Sequence, residues 1–370
     1  MADPFELWRL MWSTAVSRGL ESFSEFLPAS ADSNQRRATA VDLSAFPLLG
    51  RVRLELATML LLEQRDEGPA QASPTLIVAP FAVHDASIAD FAEGHSIAKA
   101  LAEGGSGPLA LTFWKSAGAE MRGFGIDAYL SDLNVAVDDL GGRARLVGLC
   151  QGGWLAAAYA ARFPRKVEKI VLAGAPIDPG AAESSVTRAL ASVPPATIAS
   201  MIALGGGTMS GALSFSLWSD DLSPEFTAEE ALQSGCDAAL TEKFNAWNLR
   251  TVDLPGVYFM QTAEWIFREN RLARGCFEAL GRPVSLSAVE APIFVLAAED
   301  DEVVSLPQAL APRSLCHRAR VETRIAPGRH LSLFMGRKTV AGAWRDIAAW
   351  LAASGRAGRS RSRAPRKAPA

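Results

Sequence analysis

Short apolar runs alternating with amphipathic stretches set the rhythm of this chain. Thr75 to Pro80 (TLIVAP) is rich in β-branched residues and closed by proline, which suits a strand buried on both faces. Pro108 to Trp114, Arg145 to Leu149 and Lys169 to Ala173 predict three more strands. Ser87 to Glu103, Ile126 to Leu140 and the alanine-rich Trp154 to Phe163 read as the helices between and after them. Such alternation implies a parallel sheet, doubly wound with helices on both faces. The rhythm stops after Pro179 and resumes at Pro292 to Ala298 (PIFVLAA), followed by Val321 to Ile325 and a helix near Ala341 to Ala352.

The intervening residues, about 180–290, carry a Gly-Gly-Gly run at 205–207, the aromatics Phe215 and Trp218, and helix-like stretches from Ala228 to Asn245 and from Tyr258 to Ala279. They read as a cap inserted into the core. The expected organisation is an N-terminal helix and linker (1–50), a first core part (51–179), the cap (180–290), a second core part (291–354) and a basic tail (355–370). Pro4 to Phe26 has apolar residues at three- and four-residue spacing with Trp8 and Trp12 among them, as in a helix docked on the core or lying at an apolar surface such as a polymer granule.

Composition narrows the class. Hydrophobic residues make up 49% and charged residues 21% of the 370, an ordinary globular balance. No apolar run approaches the ~20 residues of a membrane span, and the amino terminus lacks the pattern of a secretory signal, so the chain is expected in the cytoplasm. The net charge of −3 gives no general attraction to nucleic acid. From Arg356 onward, five arginines and one lysine with no acid form a tail without an apolar face. The four cysteines, Cys150, Cys236, Cys276 and Cys316, show neither disulfide-framework nor zinc spacing, and no metal or cofactor is expected.

The chemistry concentrates at Gly148-Leu149-Cys150-Gln151-Gly152-Gly153. A strand ending in Gly-x-nucleophile-x-Gly-Gly and running straight into a helix is a nucleophile elbow, the hallmark of the α/β-hydrolase fold, and here the nucleophile is sulfur. The positive helix end and a neighbouring backbone N–H suit it to acyl transfer. In this fold the acid follows the nucleophile and the histidine follows the acid. His330, in a loop after the Val321 to Ile325 strand, is favoured as base over His317. Asp301 is favoured as the acid because Val303-Val304 follows it, with Asp300 as the rival and Asp178 more distant. An oxyanion site is expected from the N–H of Gln151 together with one near Phe81 or Ala82. His84, and Trp154 in the helix behind the nucleophile, are candidate substrate contacts, while His84 and Asp85 also suit capping of the next helix.

These residues resemble the polyhydroxyalkanoate enzymes, the synthases and intracellular depolymerases, over about Leu76 to Leu351. GLCQGG at 148–153 and SIADFAEGHSIAKALAEGG at 87–105 are similar to synthase segments. FGIDAYL at 124–130, the run at 254–304 and HLSLFMGRK at 330–338 look more like depolymerases. Synthases usually carry histidine where Glu302 stands, and depolymerases proline where Gly152 stands. The resemblance implies a Cys150–His330–Asp301 triad acting on 3-hydroxyacyl esters. Hydrolysis of the polymer is the first expectation, synthesis from hydroxyacyl-CoA the alternative, and a non-catalytic granule-associated protein the third.

Overall fold

In the computed structural model the described residues are 42–64, 73–217, 227–233, 235 and 238–353. The chain divides into units Met1–Asp42 and Leu43–Ala370, and every element below lies in the second. The expected N-terminal helix, its linker and the basic tail lie outside the described residues.

Eight strands form the main sheet: β1 (Leu49–Glu55), β2 (Met59–Gln64), β3 (Thr75–Val78), β4 (Leu109–Trp114), β5 (Ala144–Leu149), β6 (Val167–Ala173), β7 (Ile293–Ala298) and β8 (Val321–Ala326). Their order is β1-β2-β4-β3-β5-β6-β7-β8. β2 pairs antiparallel with β1 and with β4, and every later pairing is parallel. β3, β5 and β7 are buried at every residue, as their unbroken apolar runs require when helices cover both faces. At the edge, β1 exposes Arg51, Arg53 and Glu55, a charged border that discourages further pairing. Sequence reading opened the sheet at Thr75 and missed β1 and β2: β1 is a largely exposed edge strand with a weak apolar pattern, whereas β2 has a buried apolar run, Met59 to Leu62, that the reading passed over.

Helix α1 (Ile97–Glu103) is shorter than the predicted Ser87 to Glu103. A 3₁₀ turn at Ala86–Ala89 and a small strand pair, Asp90–Ala92 with His95–Ser96, take its first half. The cause is local. The buried Asp90 carboxylate accepts hydrogen bonds from Leu48 N, Leu49 N and Ser96 Oγ at 2.7, 2.9 and 2.7 Å, which pulls this segment out of helical register. Helices α2 (Ile126–Asp139) and α3 (Gln151–Arg162) lie where their periodicity placed them, except that α3 begins directly after Cys150.

Between β6 and β7 no described strand joins the main sheet. Short helices occupy the stretch: Ser185–Ser192, Pro195–Leu204, Gly211–Ser216, Ala228–Leu232, Ala238–Asn248 and Gly256–Gln261, the last continuing as a π-helical turn, Thr262–Arg268. Two predicted helices are thereby corrected. Ala228 to Asn245 is broken at Gln233, whose φ of 50° is left-handed. Tyr258 to Ala279 stops at Arg268, and Phe277–Ala279 instead pairs with Arg282–Val284 after left-handed Asn270 and Gly275 turn the chain.

Candidate active site

The elbow follows from packing. β5 carries the chain to the carboxyl edge of the sheet, and Cys150 takes φ 47° and ψ −121°, a strained conformation for a residue with a side chain. Its N–H donates to Ala173 O at 2.8 Å, tying the turn to β6. The turn is possible because α3 comes down against the sheet at glycines. A Cβ on Gly152 would lie 2.2 Å from Val78 O, and one on Gly148 would lie 2.5 Å from the Gly153 Cα. Neither position admits a side chain. Cys150 is the N-cap of α3 and half-buried, so its side chain stands at the positive end of a twelve-residue helix.

His330 meets this turn from the loop after β8. Its Nδ1 lies 2.8 Å from Asp301 Oδ2, and its ring also hydrogen-bonds the Cys150 side chain. Burial pulls the imidazole pKa down, but the negative charges of Asp301 and Cys150 and the hydrogen bonds to both outweigh it and raise the pKa well above the usual range. Asp301 stands in the turn after β7, where its Oδ1 accepts from Val303 N at 3.0 Å and Val304 N at 2.8 Å. One oxygen is held by backbone, which leaves the other to orient the imidazole.

The rival residues lie elsewhere. Asp300 is exposed and its N–H donates to Gly328 O, while His317 is exposed. Asp178 binds Gly180 N and Asn270 Nδ2. The other cysteines differ too: Cys276 is exposed, and Cys316 is buried with its thiol pushed up to about 12 by burial. Cys236 lies outside the described residues.

Cys150, Gln151 and His330 open onto one cavity whose wall is largely apolar. Ala82 lines it. Phe81 does not, since its ring is stacked on Tyr129 with centroids 4.8 Å apart, so only its backbone is available to an oxyanion. Gln151 is the first residue of α3, and its N–H has no intrahelical partner by construction. His84 also lines the cavity, packed on Trp247 at 4.3 Å and Phe215 at 5.6 Å. Asp85 is turned inward as a cap, its Oδ1 accepting from Ser87 N at 3.0 Å. Trp154 is a correction: it is fully buried and does not line the cavity, because α3 is buried on all sides from Gly152 to Ala161 and an aromatic there fills the core.

The model of the alpha/beta hydrolase fold family matches residues 103–336, which include the elbow, Asp301 and His330. The chain belongs to the α/β-hydrolase fold family. Among curated relatives, the poly(3-hydroxyalkanoate) polymerase subunit PhaC of Synechocystis sp. is 26% identical over 75% of this chain and 77% of its own length. The PhaC subunit of Haloferax mediterranei is 21% identical over 90% of this chain and 70% of its own. The solved monoacylglycerol lipase of Paleococcus ferrophilus superposes with a TM-score of 0.52 at 14% identity, over 80% of this chain and 98% of that one, a likeness of fold. This α/β-hydrolase is therefore an enzyme of the hydrolase and acyltransferase kind, similar to polyhydroxyalkanoate synthases.

Much of the cavity wall comes from the stretch between β6 and β7: Val186, Leu190, Val193, Trp247, Phe259 and Phe267 all contribute. Sequence reading named none of these. They sit on short helices without a motif, and their shared cavity exists only once the helices are folded over Cys150. Among the described residues no helix is long and apolar enough to cross a membrane, and no cluster of His, Cys, Asp or Glu is suited to a metal ion.

Proposed function

We propose that this protein is a polyhydroxyalkanoate synthase-like acyltransferase that draws 3-hydroxyacyl groups from CoA thioesters onto Cys150 and passes them to the hydroxyl end of a growing polyester. The observation that carries the reading is the similarity to two PhaC polymerase subunits along most of the chain. It moves the balance away from hydrolysis, the first expectation from sequence, to the synthesis alternative.

In this mechanism His330 takes the proton of Cys150, and the thiolate attacks the thioester carbonyl. The N–H groups of Gln151 and of the Phe81-Ala82 loop hold the developing oxyanion. As the carbonyl re-forms, the carbon–sulfur bond to CoA breaks and His330 returns the proton to the leaving thiolate. The hydroxyl of the growing chain then gives its proton to His330 and attacks the Cys150 thioester, so the acyl group moves to oxygen and the cysteine is freed. Asp301 keeps the imidazole oriented and its positive form stabilised throughout. Residues 180–290 act as the cap, excluding water so that a chain hydroxyl rather than water receives the acyl group.

The test is to incubate pure protein with 3-hydroxybutyryl-CoA and, separately, with amorphous polyhydroxybutyrate. Free CoA accompanied by insoluble polyester is the expected result. Release of hydroxybutyrate from the polymer without turnover of the CoA ester would return the assignment to hydrolysis.

A further inference from the structure

The residue that ends a helix in the left-handed conformation is usually glycine, which takes it without strain. Helix Ala228–Leu232, in the stretch between β6 and β7, ends instead on Gln233, at φ 50° and ψ 36°. The position is fixed from behind, since Ala231 and Leu232 are buried. A side chain held there against backbone strain calls for contacts that offset it.

Those contacts are with the loop that carries His330, at both of its ends. Gln233 Nε2 donates to Pro327 O at 3.1 Å, ahead of the histidine. Oε1 accepts from Thr339 N at 3.3 Å and from Thr339 Oγ1 at 3.2 Å, beyond it. The loop is glycine where the amide lies against it: a Cβ on Gly328 would stand 2.8 Å from Gln233 Nε2, and one on Gly336 would overlap Oε1. One amide thus staples the two ends of the loop across His330. The next carbonyl along, Gly328 O, accepts from Asp300 N at 3.1 Å, beside Asp301. The approach to the histidine is therefore held on one side by the turn after β7 and on the other by Gln233.

We propose that Gln233 is a positioning residue for the base: its amide holds the loop 327–339 together and so keeps the His330 ring on the Cys150 sulfur. The setting of the base then depends on the same stretch of chain that supplies much of the cavity wall. This rests on the reading that His330 serves Cys150 as base. Without the amide the loop keeps its bond to Asp300 N, but its two ends are free to part, and a misplacement of about 1 Å at a reacting group can cost ~10²-fold in rate.

The experiment reads the Cys150 sulfur directly. Full-length wild type, Gln233→Met and Gln233→Gly are treated with iodoacetamide and the modified cysteines are located by mass spectrometry. Release of p-nitrophenol in the first turnover of p-nitrophenyl butyrate is followed in parallel. Methionine keeps the bulk without the hydrogen bonds, and glycine keeps the left-handed turn without the strain. In both variants, labelling of Cys150 and the first turnover should slow by about tenfold, the effect of a displaced proton acceptor, while the buried Cys316 stays as unreactive as in wild type. Slowing accompanied by labelling of Cys316 in both variants would mark a fold that has opened, and would overturn the positioning role. His330→Gln is run alongside. Wild-type labelling of Cys150 in the Gln233 variants, with slow labelling in His330→Gln, would overturn the proposal and leave the base reading standing. Wild-type labelling in His330→Gln would remove that reading and the proposal with it.

Discussion

At the end of β5 a methyl group on Gly152 would sit 2.2 Å from a main-chain oxygen, whereas at the end of helix Pro195–Leu204 the Leu204 side chain is 77% exposed. The elbow and the stretch between β6 and β7 that carries this helix border one cavity but are held differently. Around the elbow, backbone touches backbone, and Cys150, Asp301 and His330 are fixed by main-chain hydrogen bonds, tight turns and each other. Between β6 and β7 the helices run from five to eleven residues, and some of them, with the π-helical turn, meet the cavity through side chains such as Leu190 and Phe267. The sheet end therefore sets where Cys150, Asp301 and His330 stand, and the helical stretch supplies much of the wall that faces them. Packing of the first kind tolerates almost no change; packing of the second kind allows the wall to be altered without moving the chemistry.

The sharpest break in that comparison comes from the nucleophile. Cys150→Ala should abolish turnover, by on the order of 10³-fold or more, and iodoacetamide should modify Cys150 faster than Cys276 or Cys316. Labelling of Cys276 at the same rate would remove the special character of the elbow sulfur. Next is the backbone itself. Gly152→Ala should cost about 3 kcal/mol or more in denaturant unfolding, beyond ordinary overpacking, because the clashing partner is main chain and cannot rotate away. A variant as stable as wild type would mean that α3 is free to slide from β3.

Asp301→Asn should lower kcat by about 10²–10⁴-fold, because it removes the charge that favours the positive His330 ring and upsets its tautomer. Asp300→Asn, at an exposed residue whose backbone makes the contact, should cost less than about threefold. Equal losses would place the acid wrongly. In the helical stretch the expected effects are smaller. Phe267→Ala enlarges the cavity at a half-buried side chain, and should raise activity on six- to eight-carbon acyl groups relative to four-carbon ones by about three- to tenfold. A uniform loss across chain lengths would show that this wall supports the fold instead of selecting substrate.

The smallest effect is one of pH. The folded-state pKa of His84, about 4, lies below the usual 6.5, so the unfolded chain takes up a proton first as the solution is acidified. The stability contributed by keeping this ring neutral is complete above about pH 6.5 and is lost progressively as pH falls through 4. His84→Phe should flatten that part of the curve, so the difference in Tm between the two proteins at pH 7 should shrink or reverse toward pH 4.5. A parallel course in the two proteins would show that the ring titrates as it does in water.

The sequence by itself determined the elements whose signal is local. β3, β5 and β7 announce themselves as apolar runs because both faces of a parallel sheet are covered, and the elbow does so because only glycines fit where α3 meets β3 and β5. The order expected along the chain, with an acid after the elbow and a histidine after the acid, follows from that topology, and the fold brings Cys150, Asp301 and His330 together. Tertiary structure decided the rest. Whether Asp300 or Asp301 faces the histidine depends on which carboxylate the turn at Val303 and Val304 draws inward, and neighbouring residues in a turn point in different directions for reasons no pattern records. Trp154 looked like a substrate contact because it lies near the nucleophile in sequence, yet a helix turns 100° per residue and carried it into the core. The cavity wall came from residues such as Val186 and Phe267, about 80 positions apart, whose adjacency is made by helices packing against one another and leaves no mark in the sequence of either.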